Sequence, residues 1–308
     1  MNRIILAIFI AGICWPGSDT QIYNGYEYMP PRRFEFLKTF PRDLAEYGRF
    51  TFQKEYISEW IELGLMTAWM VAIDEPLIVD ARELGNQLNI SSVDKTREFF
   101  RILDQPIRFP TDLGSAIYFI GDGWLHLGIS SSFYAYGKFT HNNRSLQTAS
   151  QIAEAMATAG FMSQVLKHIT GRISPFRAGD PPSDRWIPFP NQIEYHKHVS
   201  HYDAFPSGHM AVCMATVTVI AENYSEYKLI KPLGYGAMTL LGWQMMNNGV
   251  HWISDYPLAI AMGYYLGIIA VDHGRSQVGQ KEYRSRLRIG PFTDKNNTTG
   301  ISFKYRLN

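Results

Sequence analysis

Apolar runs alternate with polar breaks along the chain, and the spacing inside most runs is helical. Ile57, Trp60, Ile61, Leu65 and Met66 recur at intervals of three and four, which predicts a helix over 56–73. Residues 93–104 predict a polar helix with Phe99, Phe100 and Leu103 on one side. The clearest signal runs over 148–171, where Ile152, Met156, Ala159, Met162 and Leu166 share a face. There Thr148 and Gln151 form a candidate capping box, and Gly171 supplies a stop. Three apolar helices are expected at about 208–224, 232–246 and 255–271. A polar, Pro-rich loop of about 30 residues, 174–204, precedes them and is long enough to suggest function. Residues 21–50 show no clean period. After Asp272 the chain turns polar, and "RLRIGPF" and "GISFKYRL" predict two short strands.

This order predicts a mainly α fold: a helical bundle with a short β-like C-terminal tail. The expected division is a signal peptide at 1–20, a helical and irregular segment at 21–108, a helical core at 109–275, and a tail with a β-hairpin at 276–308. The signal-peptide reading rests on Arg3, the apolar run after it and the break at Pro16-Gly17-Ser18. Its removal would leave Cys213 as the lone cysteine, with no intrachain disulfide to form.

Composition narrows the classes. The 308 residues are 46% apolar, enough for a sizeable core. A formal net charge of +1 gives no electrostatic case for nucleic acid. Mean hydropathy of −0.16 is low for a chain of many membrane spans. The uncharged run from Tyr256 to Val271 is shorter than the roughly 20 residues a span needs. The expectation is a water-soluble bundle, periplasmic or associated with the cell envelope after export across the inner membrane. An integral membrane protein stays open as the alternative.

The chemistry gathers at helix ends. Pro206-Ser207-Gly208-His209 opens an apolar helix. A helix N-terminus offers unpaired N–H groups and partial positive charge to an anion. Ser207 can cap that helix, Gly208 admits close approach, and His209 can donate a proton. Some forty residues later, His251 and Asp255 stand four apart, close enough for the carboxylate to fix the imidazole tautomer. Lys167 and Arg172 flank the end of the 148–171 helix, suiting either its C-terminal dipole or a phosphate.

These three pieces, in this order, resemble the phosphatidic acid phosphatase type 2 / vanadium haloperoxidase superfamily, which includes bacterial acid phosphatases. The family pattern is Lys, six residues, Arg-Pro; then Pro-Ser-Gly-His; then Ser-Arg, five residues, His, three residues, Asp. The resemblance covers about 110–275. It implies a phosphate site built from Lys167, Arg172, Ser207 and Gly208. His251 would be the nucleophile forming a phosphohistidine, Asp255 its orienting carboxylate and His209 the acid for the leaving group. Two positions depart: Ser174 and Met245 stand where the family has phosphate-clamping arginines. Arg172, Arg177, Arg185 and Lys197 are candidate replacements, as are the neutral donors Asn247 and Asn248.

The function implied is a metal-independent phosphatase, a phosphoric ester hydrolase acting on a phosphomonoester or a lipid (pyro)phosphate, with no cofactor. The partners expected are that phosphorylated small molecule or lipid and, as a candidate, a membrane surface. The alternatives are a catalytically weakened phosphate- or lipid-binding relative and a vanadate-dependent haloperoxidase.

Overall fold

A computed structural model describes residues 20–32, 34–102, 105–179, 183, 185–278, 287–293 and 299–305. The expected signal peptide, Cys14 and Leu103 lie outside these residues. The fold is mainly α. Two apolar helices form its axis: α8 (Gly208–Asn223) and α10 (Tyr256–Gly274) pack on each other more extensively than any other pair. Around them stand α6 (Asn143–Thr170), α5 (Gly123–Thr140) and α9 (Ile230–Asn247). The α8–α10 contact is close because α10 carries glycine where it crosses α8. A Cβ on Gly263 would lie 2.2 Å from the Ala211 carbonyl oxygen, and one on Gly267 would lie 2.9 Å from Thr218 Cβ. Met210, Met214, Val219, Leu241, Met262 and Leu266 fill the core between these helices. This packing brings the start of α10 against the mouth of α8.

Helix α6 begins before the expected cap. Asn142 accepts from the Ser145 amide at 2.9 Å, whereas the Thr148 hydroxyl bonds back to the Arg144 carbonyl within the helix. Its end is as expected: Gly171 adopts φ 58° and its amide bonds the Lys167 carbonyl at 3.0 Å. A Cβ there would lie 1.9 Å from the Ile187 carbonyl oxygen, so both backbone and space require glycine.

The N-terminal part departs more. Residues 21–50 are ordered: β1 (Gln21–Tyr23) and β2 (Tyr26–Tyr28) pair antiparallel, followed by α1 (Glu35–Thr51). Strand β2 also pairs with β5 (Arg275–Gln277) at the end of α10, register Glu27 to Ser276. The stretch expected as a polar helix at 93–104 is instead strand β3 (Thr96–Ile102), antiparallel to β4 (Gln105–Pro110). "TREFFRI" carries two β-branched residues and two aromatics, and cross-strand pairing outweighs its short helical period. Between these regions lie α2 (Ile57–Val71) and α3 (Asp74–Gln87). Helix α2 forms as expected, but Ile57, Ile61, Leu65 and Met66 point outward rather than into the core. The remaining helices are the short α4 (Leu113–Phe119) and α7 (Gln192–Lys197), the latter within the long loop. The expected tail strands are β6 (Leu287–Thr293) and β7 (Thr299–Tyr305), paired antiparallel.

Candidate active site

The start of α8 is capped by Ser207, whose hydroxyl oxygen accepts from the Met210 amide at 3.3 Å. The first-turn amides have no carbonyl partner in their own helix, which makes this mouth receptive to an anion. The Ser207 amide is tied to the Asp255 carbonyl at 3.1 Å, which stitches the α8 mouth to the turn before α10. Lys167, in the last turn of α6, lies beside Gly208: an ideal Cβ there would stand 3.9 Å from the Lys167 ammonium. Lys167 is 6% exposed and pairs with Asp203 at 3.6 Å.

His251 is buried, and its Nδ1 lies 2.8 Å from the Ala204 carbonyl oxygen and 3.2 Å from Asp255 Oδ2. Both partners are acceptors, so Nδ1 carries the proton, and in the neutral tautomer Nε2 carries the lone pair. The backbone sets this up. Residues 171–173 pair with 185–187, and the Ala204 amide donates to the Arg172 carbonyl at 3.0 Å. That bond holds the Ala204 carbonyl in place for His251.

His209 faces His251 with ring centroids 6.1 Å apart. It is partly exposed and also packs on Tyr118, centroids 5.0 Å apart. Burial within the surrounding protein lowers its pKa to about 3, and His251, Lys167 and His126 add to the effect. His126, deeper in α5, is pushed down to about 4 by burial. These surroundings disfavour an imidazolium at His209, and a bound phosphate anion would shift the electrostatic balance toward it.

Arg172 is not placed as a phosphate ligand. It is fully buried behind the His251–Asp255 pair. One guanidinium nitrogen donates to Asp255 Oδ1 and to the Ser254 hydroxyl at 2.7 Å; another donates to Asp74 Oδ2 at 2.6 Å. Trp186 and Trp252 lie near the guanidinium, 4.5 and 5.5 Å to their centroids. Its neighbourhood is complete without a ligand, so its work is to hold Asp255. Asp74, at the start of α3, was not read from the sequence. It also accepts from the Ser254 amide at 3.1 Å. Burial raises the Asp74 carboxyl, while Ser254 and Arg172 lower it in part. A lone Asp at a helix start reads as a capping residue, and only the fold reveals its partner 98 residues away.

Asn247 and Asn248 also face elsewhere. Gln244 Nε2 donates to the Ser91 carbonyl at 2.9 Å and to Asn248 Oδ1, and Asn247 donates to Gln244 Oε1 at 3.2 Å. These amides are used to seat α9 on the 90–91 segment. Met245 is fully buried with its sulfur 3.8 Å from the Ser207 hydroxyl, so an apolar side chain underlies the α8 mouth. Ser174 lines a cavity of about 480 Å³ together with Arg177, Lys197, His198, His201 and Asp203. Thus two of the candidate replacement cations, Arg177 and Lys197, border the position where an arginine is missing.

The helical bundle thus sets an imidazole–carboxylate pair facing a second imidazole at a helix N-terminus. Residues 148–275 match the model of the PAP2 superfamily. Lys167, Ser207–His209 and His251–Asp255 all fall within the match. Among solved structures, the crystal structure of Aquifex aeolicus LpxE is 19% identical, covering 51% of this chain and 82% of that one at a TM-score of 0.39. The crystal structure of the first transmembrane PAP2 type phosphatidylglycerolphosphate phosphatase from Bacillus subtilis is 14% identical, covering 68% and 92% at a TM-score of 0.39. No curated protein matches the chain. Among the described residues one helix, Ile253–Gly274, is long and apolar enough to cross a membrane, and 61% of its apolar window is buried inside the protein.

Proposed function

We propose that the protein is a phosphatase that hydrolyses a phosphomonoester or a lipid (pyro)phosphate through a phosphohistidine at His251. The observation that carries this reading is the anchoring of His251 Nδ1 by two acceptors, which leaves Nε2 as the nitrogen for attack, with the His209 ring 6.1 Å away between centroids. Nε2 attacks phosphorus, and the bond to the leaving oxygen breaks as His209 delivers a proton to it. Lys167 and the amides at the α8 mouth stabilise the equatorial oxygens. Water then attacks the phosphohistidine with His209 as base, releasing phosphate and restoring His251. Asp255 balances the charge that develops on the His251 ring, and Arg172 and Asp74 fix Asp255.

The cations absent at 174 and 245 are replaced, in this reading, by Arg177 and Lys197 of the loop ring that lines the cavity beside Ser174. Two cations on a loop outside the helix mouths suit a substrate with charge beyond the transferred phosphoryl group, such as a pyrophosphate or an anionic headgroup.

A membrane surface is the proposed setting. Ile57, Ile61, Leu65 and Trp69 recur every fourth residue on α2 and are each more than half exposed, forming one apolar stripe. A stripe of this kind ending in Trp suits the interfacial plane of a bilayer. The deciding experiment incubates the purified chain with p-nitrophenyl phosphate and with a lipid phosphate beside a His251→Ala variant. Release by the native chain and none by the variant is expected. Equal background release from both would favour the weakened, phosphate-binding alternative, which the buried Met245 otherwise recommends.

A further inference from the structure

A second cluster of ionisable groups lies at the opposite end of α10. His273 stands eighteen residues beyond Asp255, about 27 Å along the helix at 1.5 Å per residue. Its Nδ1 is 3.0 Å from Asp43 Oδ1 on α1 and 2.9 Å from Glu154 Oε1 on α6. Its Nε2 is 3.2 Å from Glu46 Oε2. Asp43 and Glu154 are 1% and 2% exposed. The catalytic reading uses none of these groups.

Hydrogen bonding alone does not satisfy this arrangement. The single hydrogen on Nδ1 is divided between two buried carboxylate oxygens, 3.0 and 2.9 Å away. Both Asp43 oxygens are buried and lack an aligned donor. Against burial, which lowers it, Asp43 and Glu154 raise His273 to about 9, and burial with the neighbouring Asp43 pushes Glu154 up to about 7, so two buried acids crowd one imidazole at a cost.

We propose that Asp43, Glu154 and His273 bind a divalent transition-metal ion, with Zn²⁺ as the reference ion. One imidazole nitrogen and two carboxylate oxygens lie within 4.8 Å of one another, a separation that one ion can bridge at about 2.0–2.2 Å from each. Glu46 on the far ring nitrogen completes the arrangement: a ligating imidazole commonly gives its other N–H to a carboxylate, which fixes the tautomer and raises ligand basicity. The charge then closes, two buried carboxylates against one dication with a neutral His273. The ligands come from α1, α6 and α10, so the ion ties the N-terminal helix to the core. It is a structural ion, remote from the reaction.

The test uses the full chain carrying His209→Ala and His251→Ala, so that the active-site imidazoles cannot contribute. The protein is stripped with chelator, gel-filtered, and loaded with Zn²⁺. One equivalent of zinc per chain is expected by elemental analysis, with a rise in melting temperature. Adding Asp43→Asn or His273→Gln should remove the bound zinc and the thermal shift. Apo Asp43→Asn should melt no lower than the apo parent, because the neutral amide relieves repulsion; this separates lost binding from lost folding. Negligible zinc on the stripped and reloaded chain would overturn the proposal and leave the cluster held by protons alone. An equal thermal shift with and without Asp43→Asn would overturn it as well.

Discussion

Arg172 and His251 hold the same carboxylate by different oxygens: Arg172 Nη1 donates to Asp255 Oδ1, and His251 Nδ1 lies 3.2 Å from Oδ2. Asp255 is therefore fixed in both position and rotation. A fixed carboxylate restricts His251 to one tautomer and aims Nε2 at the space below His209.

The first expectation concerns Arg172 itself. Arg172→Ala would strip two fully buried carboxylates, Asp74 and Asp255, of their cation. Removing one member of a buried pair costs about 3–5 kcal/mol. Chemical denaturation should register a loss of that order, together with loss of activity. If Arg172 instead clamped phosphate, Arg172→Ala would raise KM with little effect on stability. Asp74→Asn is the milder probe. It should lower kcat with KM nearly unchanged, since Asp74 acts through Arg172 and Asp255.

Much of this site was legible in the sequence, and the reason is local. Ser207, Gly208 and His209 are contiguous, and His251 and Asp255 are one helical turn apart, so their spacing carries their geometry. The role of Arg172 was not legible. A cation after a helix C-terminus looks the same whether it faces phosphate or the back of a carboxylate; Asp74, far off in the chain, decides it. The fold divided in the same way. Long periodic runs gave α6, α8, α9 and α10. The 93–104 stretch failed because its aromatics suit a strand whose partner lies beyond the window. Helix α2 was found with its apolar stripe turned outward, because periodicity marks a face without saying what covers it.

The loop ring makes a separable prediction. Arg177 lies at the cavity and donates from Nε to the Ser200 hydroxyl at 3.1 Å. Losing a charged hydrogen bond to substrate costs about 1.5–3 kcal/mol, or at least roughly tenfold in binding. Arg177→Ala should raise KM by about that factor, and more for a pyrophosphate than for a monoester. An unchanged KM for both substrates would remove Arg177 from the site.

The depressed pKa of His209, about 3, fixes the direction of pH dependence. At pH 5–8 the free enzyme carries His209 neutral, so the proton for the leaving group must enter with the substrate. A phosphomonoester carries that proton below its second pKa of about 6. With an alkyl phosphate, kcat/KM should fall about tenfold per pH unit above roughly 6, as the monoanion disappears. A flat profile to pH 8 would show that His209 acquires its proton independently. Stability runs in the opposite direction. His126 and His209 are held neutral in the fold but protonate near 6.5 when unfolded. Their contribution to unfolding free energy should therefore decline as pH falls from about 6.5 toward about 4.

The apolar stripe on α2 gives a binding prediction. Ile61→Glu with Leu65→Glu should release the protein from anionic phospholipid vesicles in a flotation assay. Each exposed apolar side chain contributes about 1.5–3 kcal/mol when buried, so affinity should drop at least roughly a hundredfold. Hydrolysis of water-soluble p-nitrophenyl phosphate should be unaffected. Undiminished vesicle binding would assign membrane contact to another surface.

The central claim is that His251 carries the phosphoryl group. Rapid acid-free quenching of the enzyme with a ³²P-labelled substrate tests it, followed by peptide mapping. The expected result is an alkali-stable, acid-labile label on the peptide containing His251, absent from His251→Ala and accumulating in a variant slowed at His209. Turnover by the native chain with no label on that peptide, or with undiminished turnover in His251→Ala, would contradict it.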